Sequence, residues 1–124
     1  MIVRILFAAA AVLLAASSLA RADGDAQAGE AVFKKNCVLC HTTEDGKNKI
    51  GPSLHGVVGR HSATVSNFQY SDAMKSADKV WDSQNLDVYL TNPRALVAGT
   101  KMVFVGLKNE QDRQNVIAYL ETQK

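Results

Sequence analysis

The sequence predicts an all-α domain of four to five helices strung on long loops. Three observations predict it. Capped runs with helical apolar spacing stand near both ends of the domain and again between them. The stretch 42–63 is punctuated by Gly46, Gly51, Pro52, Gly56 and Gly59 and reads as loop. No segment alternates convincingly enough to make a strand, and no repeat is visible. At 124 residues the chain is sized for one domain.

The first segment stands apart. Residues 1–4 carry one positive charge, residues 5–16 are an unbroken apolar run, and residues 17–22 end in Ala20-Arg21-Ala22. This is the layout of a secretory signal peptide cut after Ala22, leaving a domain of residues 23–124. The competing reading is an uncleaved anchor, but the apolar run is short of the roughly 20 residues a span needs. Cutting removes Arg4 and Arg21, so 12 of the 14 basic residues remain against 12 acidic ones. A near-neutral domain offers no general affinity for nucleic acid or anionic membrane.

In the domain, Asp25 is placed to cap a helix over 26–36, with Ala28, Ala31, Val32, the Lys35 stem and Phe33 on its apolar side. Gly29 inside it costs about 1 kcal/mol against alanine and makes sense where another helix crosses closely. Residues 71–77 form a short helix. Ser83 caps one over about 84–90, which ends at Asn92-Pro93 because proline disfavours helix in the preceding residue. Residues 91–104 read mainly as loop. Asn109 caps the last helix, with Asp112 at the capping-box position and residues 116–120 supplying its buried face.

The chemistry is concentrated at Cys37-Val38-Leu39-Cys40-His41. A disulfide closing so short a loop constrains the unfolded chain little. A redox dithiol belongs beside a βαβ pattern, and a zinc site needs a second ligand pair. Cys-x-x-Cys-His is the signature of covalent haem attachment. Two intervening residues let one turn of chain offer both sulfurs to the two porphyrin vinyls, and put His41 under the iron. Opposite it, a thioether is one of the few side chains that serves. Met74 lies in a short helix and reads as core filler. Met102 follows Gly99 on an aperiodic loop and is the candidate, with His55 and His61 as the bis-histidine alternatives.

These residues resemble the class I cytochrome c family, the branch holding mitochondrial cytochrome c and bacterial cytochrome c2. The likeness covers essentially the whole of 23–124. It runs through Gly29, Phe33, the Cys37–His41 motif, the stretch 51–60, Tyr70, Trp81, the stretch 89–93, the stretch 99–104, and Ala118-Tyr119-Leu120. It implies the family fold around one covalent haem c, with His41 and Met102 on iron. It implies that the Pro52 carbonyl orients His41, that Arg60, Tyr70, Trp81 and Thr100 serve the propionates, and that Tyr89 points its hydroxyl toward the Met102 sulfur side. Gly29 lets the first and last helices touch. Two departures stand out: Ala98 replaces a frequent proline, and Met74 a frequent polar residue near the haem.

The function expected is one-electron carriage through the exposed haem edge, not catalysis, since both axial positions are filled from the chain. The carrier is expected in the bacterial periplasm, as a monomer without stable membrane insertion. Its partners would be redox proteins: a membrane cytochrome complex, an oxidase, a reaction centre or a dehydrogenase. Lys35, Lys49 and Lys101 are the expected docking cations, joined on the rim by Lys34, Lys47, Arg94 and Lys108. Acidic residues (Asp23, Asp25, Glu30, Glu110, Asp112, Glu121) gather toward the two ends.

Overall fold

The computed structural model describes residues 24–124, and the expected signal peptide and Asp23 lie outside them. Five helices follow in order: α1 Ala26–Asn36, α2 Asp72–Ala77, α3 Ser83–Thr91, α4 Pro93–Leu96 and α5 Glu110–Glu121. Among the described residues there is no strand, only one antiparallel bridge between His61 and Val80. No described helix is long and apolar enough to cross a membrane.

The frame is the crossing of α1 and α5. A Cβ at Gly29 would fall 1.8 Å from the Asn115 carbonyl oxygen, so only glycine lets the two backbones approach this closely. Phe33 and Tyr119 close the crossing with ring centroids 5.5 Å apart. The Asn115 side chain accepts from the Asp25 N–H at 2.9 Å, joining the start of α1 to α5. Val116, Ile117 and Leu120 of α5 meet Phe33, Val57, Trp81, Leu86, Tyr89, Val97 and Leu107 in one core.

Caps explain most boundaries. Asp25 accepts from the Gln27 and Ala28 N–H groups, Ser71 from Met74, and Asn109 from Asp112. Four expectations need correction. The cap of α3 is Asp82, which accepts from Asn85 at 2.7 Å, and Ser83 is the first helical residue. The stretch after Asn92 contains a helix, α4, because Pro93 fits the first helical position, where no N–H is needed. Ala31 and Lys35 face solvent, whereas Phe33 and Gly29 are buried as expected and Ala28 and Val32 are half-buried. On α5, Ala118 and Tyr119 are half-buried, while Arg113 and Asn115 are buried.

Arg113 is held because its donors are met. Its Nε donates to Asp87 at 2.7 Å, and Nη1 to the Leu107 and Lys108 carbonyls at 3.0 and 3.2 Å. One guanidinium thus ties α3 and α5 to the chain that follows the Met102 loop. That chain returns through Gly106 (φ +107°), where a Cβ would strike the Thr91 oxygen at 2.1 Å. The Leu107 N–H then donates to Leu90 at 2.7 Å.

Candidate functional site

The end of α1 delivers the two thiols. The chain leaves the helix at Cys37 and turns at once, with the Cys40 and His41 N–H groups both donating to the Cys37 carbonyl, at 3.1 and 2.9 Å. This turn puts Cys37, Cys40 and His41 together. Both thiols are unbridged and half-buried. Burial, with Cys40 beside it, pushes the Cys37 thiol up to about 11.

His41 is fixed from two sides. Its Nδ1 lies 2.7 Å from the Pro52 carbonyl oxygen, which can only accept, so Nδ1 carries the proton and Nε2 is left with a lone pair. Behind the ring stands Gly51, where a Cβ would come within 2.3 Å of His41 Cε1. The Gly51 N–H donates to Cys40 at 2.8 Å, so the backing is tied to the attachment turn itself. Burial is the largest effect on this imidazole and lowers its proton affinity. The Pro52 bond opposes that, and Arg60 and Lys49 add to it. A neutral, oriented imidazole is the form that ligates a metal.

The methionine side is built by the 99–107 loop. Met102 is half-buried and packs against the core. Its N–H donates to Thr100 Oγ1 at 3.3 Å, and that oxygen also bonds the Tyr89 hydroxyl at 2.9 Å. Tyr89 therefore points at the Met102 loop, bonded to Thr100 rather than to sulfur. Burial raises its pKa, which favours the protonated phenol. Tyr89 also stacks on the buried Trp81, centroids 4.9 Å apart.

Arg60, Tyr70 and Trp81 come from different segments. The Trp81 N–H donates to the Arg60 carbonyl at 2.9 Å, and the Gly59 N–H to the Trp81 carbonyl at 2.8 Å. Arg60 is half-buried; burial lowers its pKa and the Tyr70 phenol beside it acts the other way. One guanidinium donor goes to the His55 carbonyl at 3.0 Å, leaving others for an anion. The Tyr70 oxygen accepts from the Val65 N–H at 3.1 Å, which leaves the phenol proton to donate onward.

The other two histidines are engaged elsewhere. His55 Nδ1 lies 3.2 Å from the Thr43 carbonyl, and His61 Nε2 is 2.7 Å from Asp78 on the surface. The expected docking cations Lys35, Lys49 and Lys101 are all exposed. Lys49 donates to the Val38 carbonyl, and Lys101 to that of Gln69 at 3.3 Å. Gly51 as the backing of His41, and the buried Arg113, were not legible as functional or structural anchors. Arg113 had one signal, since it stands on the same stripe as Val116, Ile117 and Leu120.

The donor set therefore suits a haem: a neutral imidazole with its outer nitrogen pinned, two adjacent thiols, a thioether on a separate loop, and free cationic and phenolic donors. Comparison with known proteins agrees. The family model for cytochrome c matches residues 26–124. A cytochrome c-type cyt cy of Rhodobacter capsulatus is 57% identical over 99 residues, covering 80% of this chain but only 49% of that protein's length. Cytochrome c2 of Rhodomicrobium vannielii is 52% identical over 108 residues, 86% of each chain. Cytochrome c of Stellaria longipes is 46% identical over 100 residues, covering 80% of this chain and 93% of that one. A helical frame, an attachment turn and a match over nearly all of the described residues place the chain in the class I cytochrome c family, whose members are electron carriers with one covalently attached haem c.

Proposed function

We propose that this chain is a diffusible periplasmic carrier, made with a signal peptide over residues 1–22 and working as a monomer between membrane-bound and soluble redox proteins. The likeness to a bacterial cytochrome c2 supports that compartment. Cys37 and Cys40 form the thioethers, His41 and Met102 are the axial ligands, and Pro52 orients His41. Arg60, Tyr70, Trp81 and Thr100 serve the propionate side, and Tyr89 steadies the Met102 loop.

The observation that carries the reading is the His41 imidazole, held by Pro52 at 2.7 Å and backed by Gly51 within one turn of both thiols. Bound haem supplies a reversible one-electron couple at iron. The protein keeps the coordination unchanged as charge comes and goes. Pro52 prevents His41 from rotating, and the hydrogen bond raises the imidazole's basicity. Met102 offers a neutral sulfur, and the apolar residues around it disfavour the extra charge of the oxidised state. Both effects of Met102 push the potential positive. The assignment of Met102 over His61 is supported by the His61 Nε2 contact with Asp78 at 2.7 Å on the surface.

Met102→Ala tests it. The expected result is loss of the long-wavelength absorption band that marks iron–sulfur ligation, with a lower midpoint potential and the haem still attached. An unchanged spectrum excludes Met102 as ligand.

A further inference from the structure

The proposed cut after Ala22 falls one residue ahead of a stretch that the fold holds fast. Gly24 lies against the last helix: a Cβ there would fall 2.2 Å from the Gln114 carbonyl oxygen and 2.9 Å from the Ala118 Cβ. The next N–H, that of Asp25, donates to the Asn115 side-chain oxygen at 2.9 Å. Asn115 is buried, and the same oxygen accepts from Gln111 Nε2 at 2.9 Å, so it is fixed from within its own helix. The remaining groups of Asp25 are committed to α1. Its carboxylate accepts from the Gln27 and Ala28 N–H groups at 2.8 and 3.1 Å, and its carbonyl from Gly29 at 2.8 Å. Residues 24 and 25 are thus gripped by α5 and by α1 at once.

This grip bears on how the protein is made. A peptidase takes its substrate as an extended strand, bonded through the main chain on both sides of the bond it cuts. For a cut after Ala22, residues 23–25 are the downstream half of that strand. Presenting them requires Asp25 to leave Asn115, α1 to lose its cap and Gly24 to lift off α5. Susceptibility to cutting follows the burial and hydrogen bonding of the backbone concerned, not its place in the sequence. The clamp is α5, Glu110–Glu121, the last of the five helices, so it exists only once the far end of the chain has folded back.

We infer that folding closes the processing site: the Ala22–Asp23 bond is cut while α5 is still undocked, and a chain whose α5 docks first keeps residues 1–22. The cut is a hydrolysis by a signal peptidase. Water adds across the amide and leaves a carboxylate on Ala22 and an amine on Asp23, and the fold controls access alone. The order of the two events therefore decides between a released carrier and one that still bears its apolar leader. The inference rests on the proposed signal peptide.

Full-length precursor with haem attached, made in cells whose signal peptidase is inhibited, is purified in detergent and given purified signal peptidase. Release of a product beginning at Asp23 is followed by mass spectrometry. Two references run beside it. One is haem-free precursor freshly diluted from urea. The other is haem-loaded precursor with a flexible Gly/Ser spacer of about six residues inserted after Asp23, which moves the bond off the clamp and leaves residues 24–124 unaltered. The haem-loaded parent is expected to be cut at least about tenfold more slowly than either reference, because cutting awaits local opening of the seam between α1 and α5. Parent and spacer form should share one visible spectrum. A parent cut as fast as the spacer form overturns the inference alone, as does a spacer form that resists like the parent while the haem-free chain is cut. If none of the three is cut after Ala22, the signal-peptide reading falls and the inference with it.

Discussion

Arg113 shows how one side chain can be decisive without touching the site. Its three hydrogen bonds span Asp87 and the Leu107 and Lys108 carbonyls. Arg113→Ala leaves a half-exposed carboxylate and two carbonyls without their donor, and is expected to cost about 2 kcal/mol, read from denaturant unfolding of the holoprotein. His61 makes a weaker, pH-dependent contribution. Its bond to Asp78 is the main cause of a pKa above the ordinary 6.5. The folded state therefore holds the proton more tightly than the unfolded one. The stabilisation is complete below about 6.5, the unfolded value, and is lost as pH rises through the elevated folded value. The pair is exposed, so the effect is small and salt-sensitive. Titration of the His61 ring protons by NMR should give a raised midpoint that falls in Asp78→Asn. An unshifted midpoint in that variant would sever the link.

At the scale of elements, α1 and α5 cross at close range, with Gly29 against the Asn115 carbonyl. Gly29→Ala puts a methyl group into the Asn115 backbone. Neither backbone can yield without parting Phe33 from Tyr119. A loss of about 1–3 kcal/mol is expected, seen as a lower melting temperature with an unchanged visible spectrum. The sequence announced this crossing, because a glycine in a helix has a cost that only close approach justifies. It also announced α1 to the residue, since Asp25 is a strong cap and Asn36 precedes the attachment turn. Boundaries were harder to read where two capping residues adjoin, as Asp82 and Ser83 do, and both have a suitable side-chain oxygen. The helix α4 was hidden because a proline signals a stop to the helix before it and a start to the one after it. Ala31 misled because alanine is as content facing water as facing a core. The motif residues Cys37, Cys40 and His41 were legible from spacing alone, whereas Gly51 was not, since nothing local to it reveals that His41 lies against it.

For the whole molecule, the division of labour between protein core and cofactor follows from size. A domain of about 100 residues is marginal for a self-sufficient core. Among the described residues the core cluster holds ten buried hydrophobic side chains, with Leu54, Val58, Met74, Met102 and Phe104 only half-covered around it. A covalently held porphyrin adds apolar surface where these side chains gather. Cys37→Ala/Cys40→Ala chain is therefore expected to be far less stable than the holoprotein. Calorimetry should show a broad, low-temperature transition or none. A sharp transition at the parental temperature would mean that the polypeptide alone suffices.

The Asp25–Asn115 bond and the contact of Gly24 with α5 also bring the beginning of the described chain beside its end. Pulling on either end loads the helical seam, not the loops bearing the thiols and the thioether. The same adjacency makes the fold a natural substrate for circular permutation. A short linker from residue 124 to residue 24 would leave the seam closed, and new ends opened in an exposed turn such as 45–47 would interrupt none of the helices.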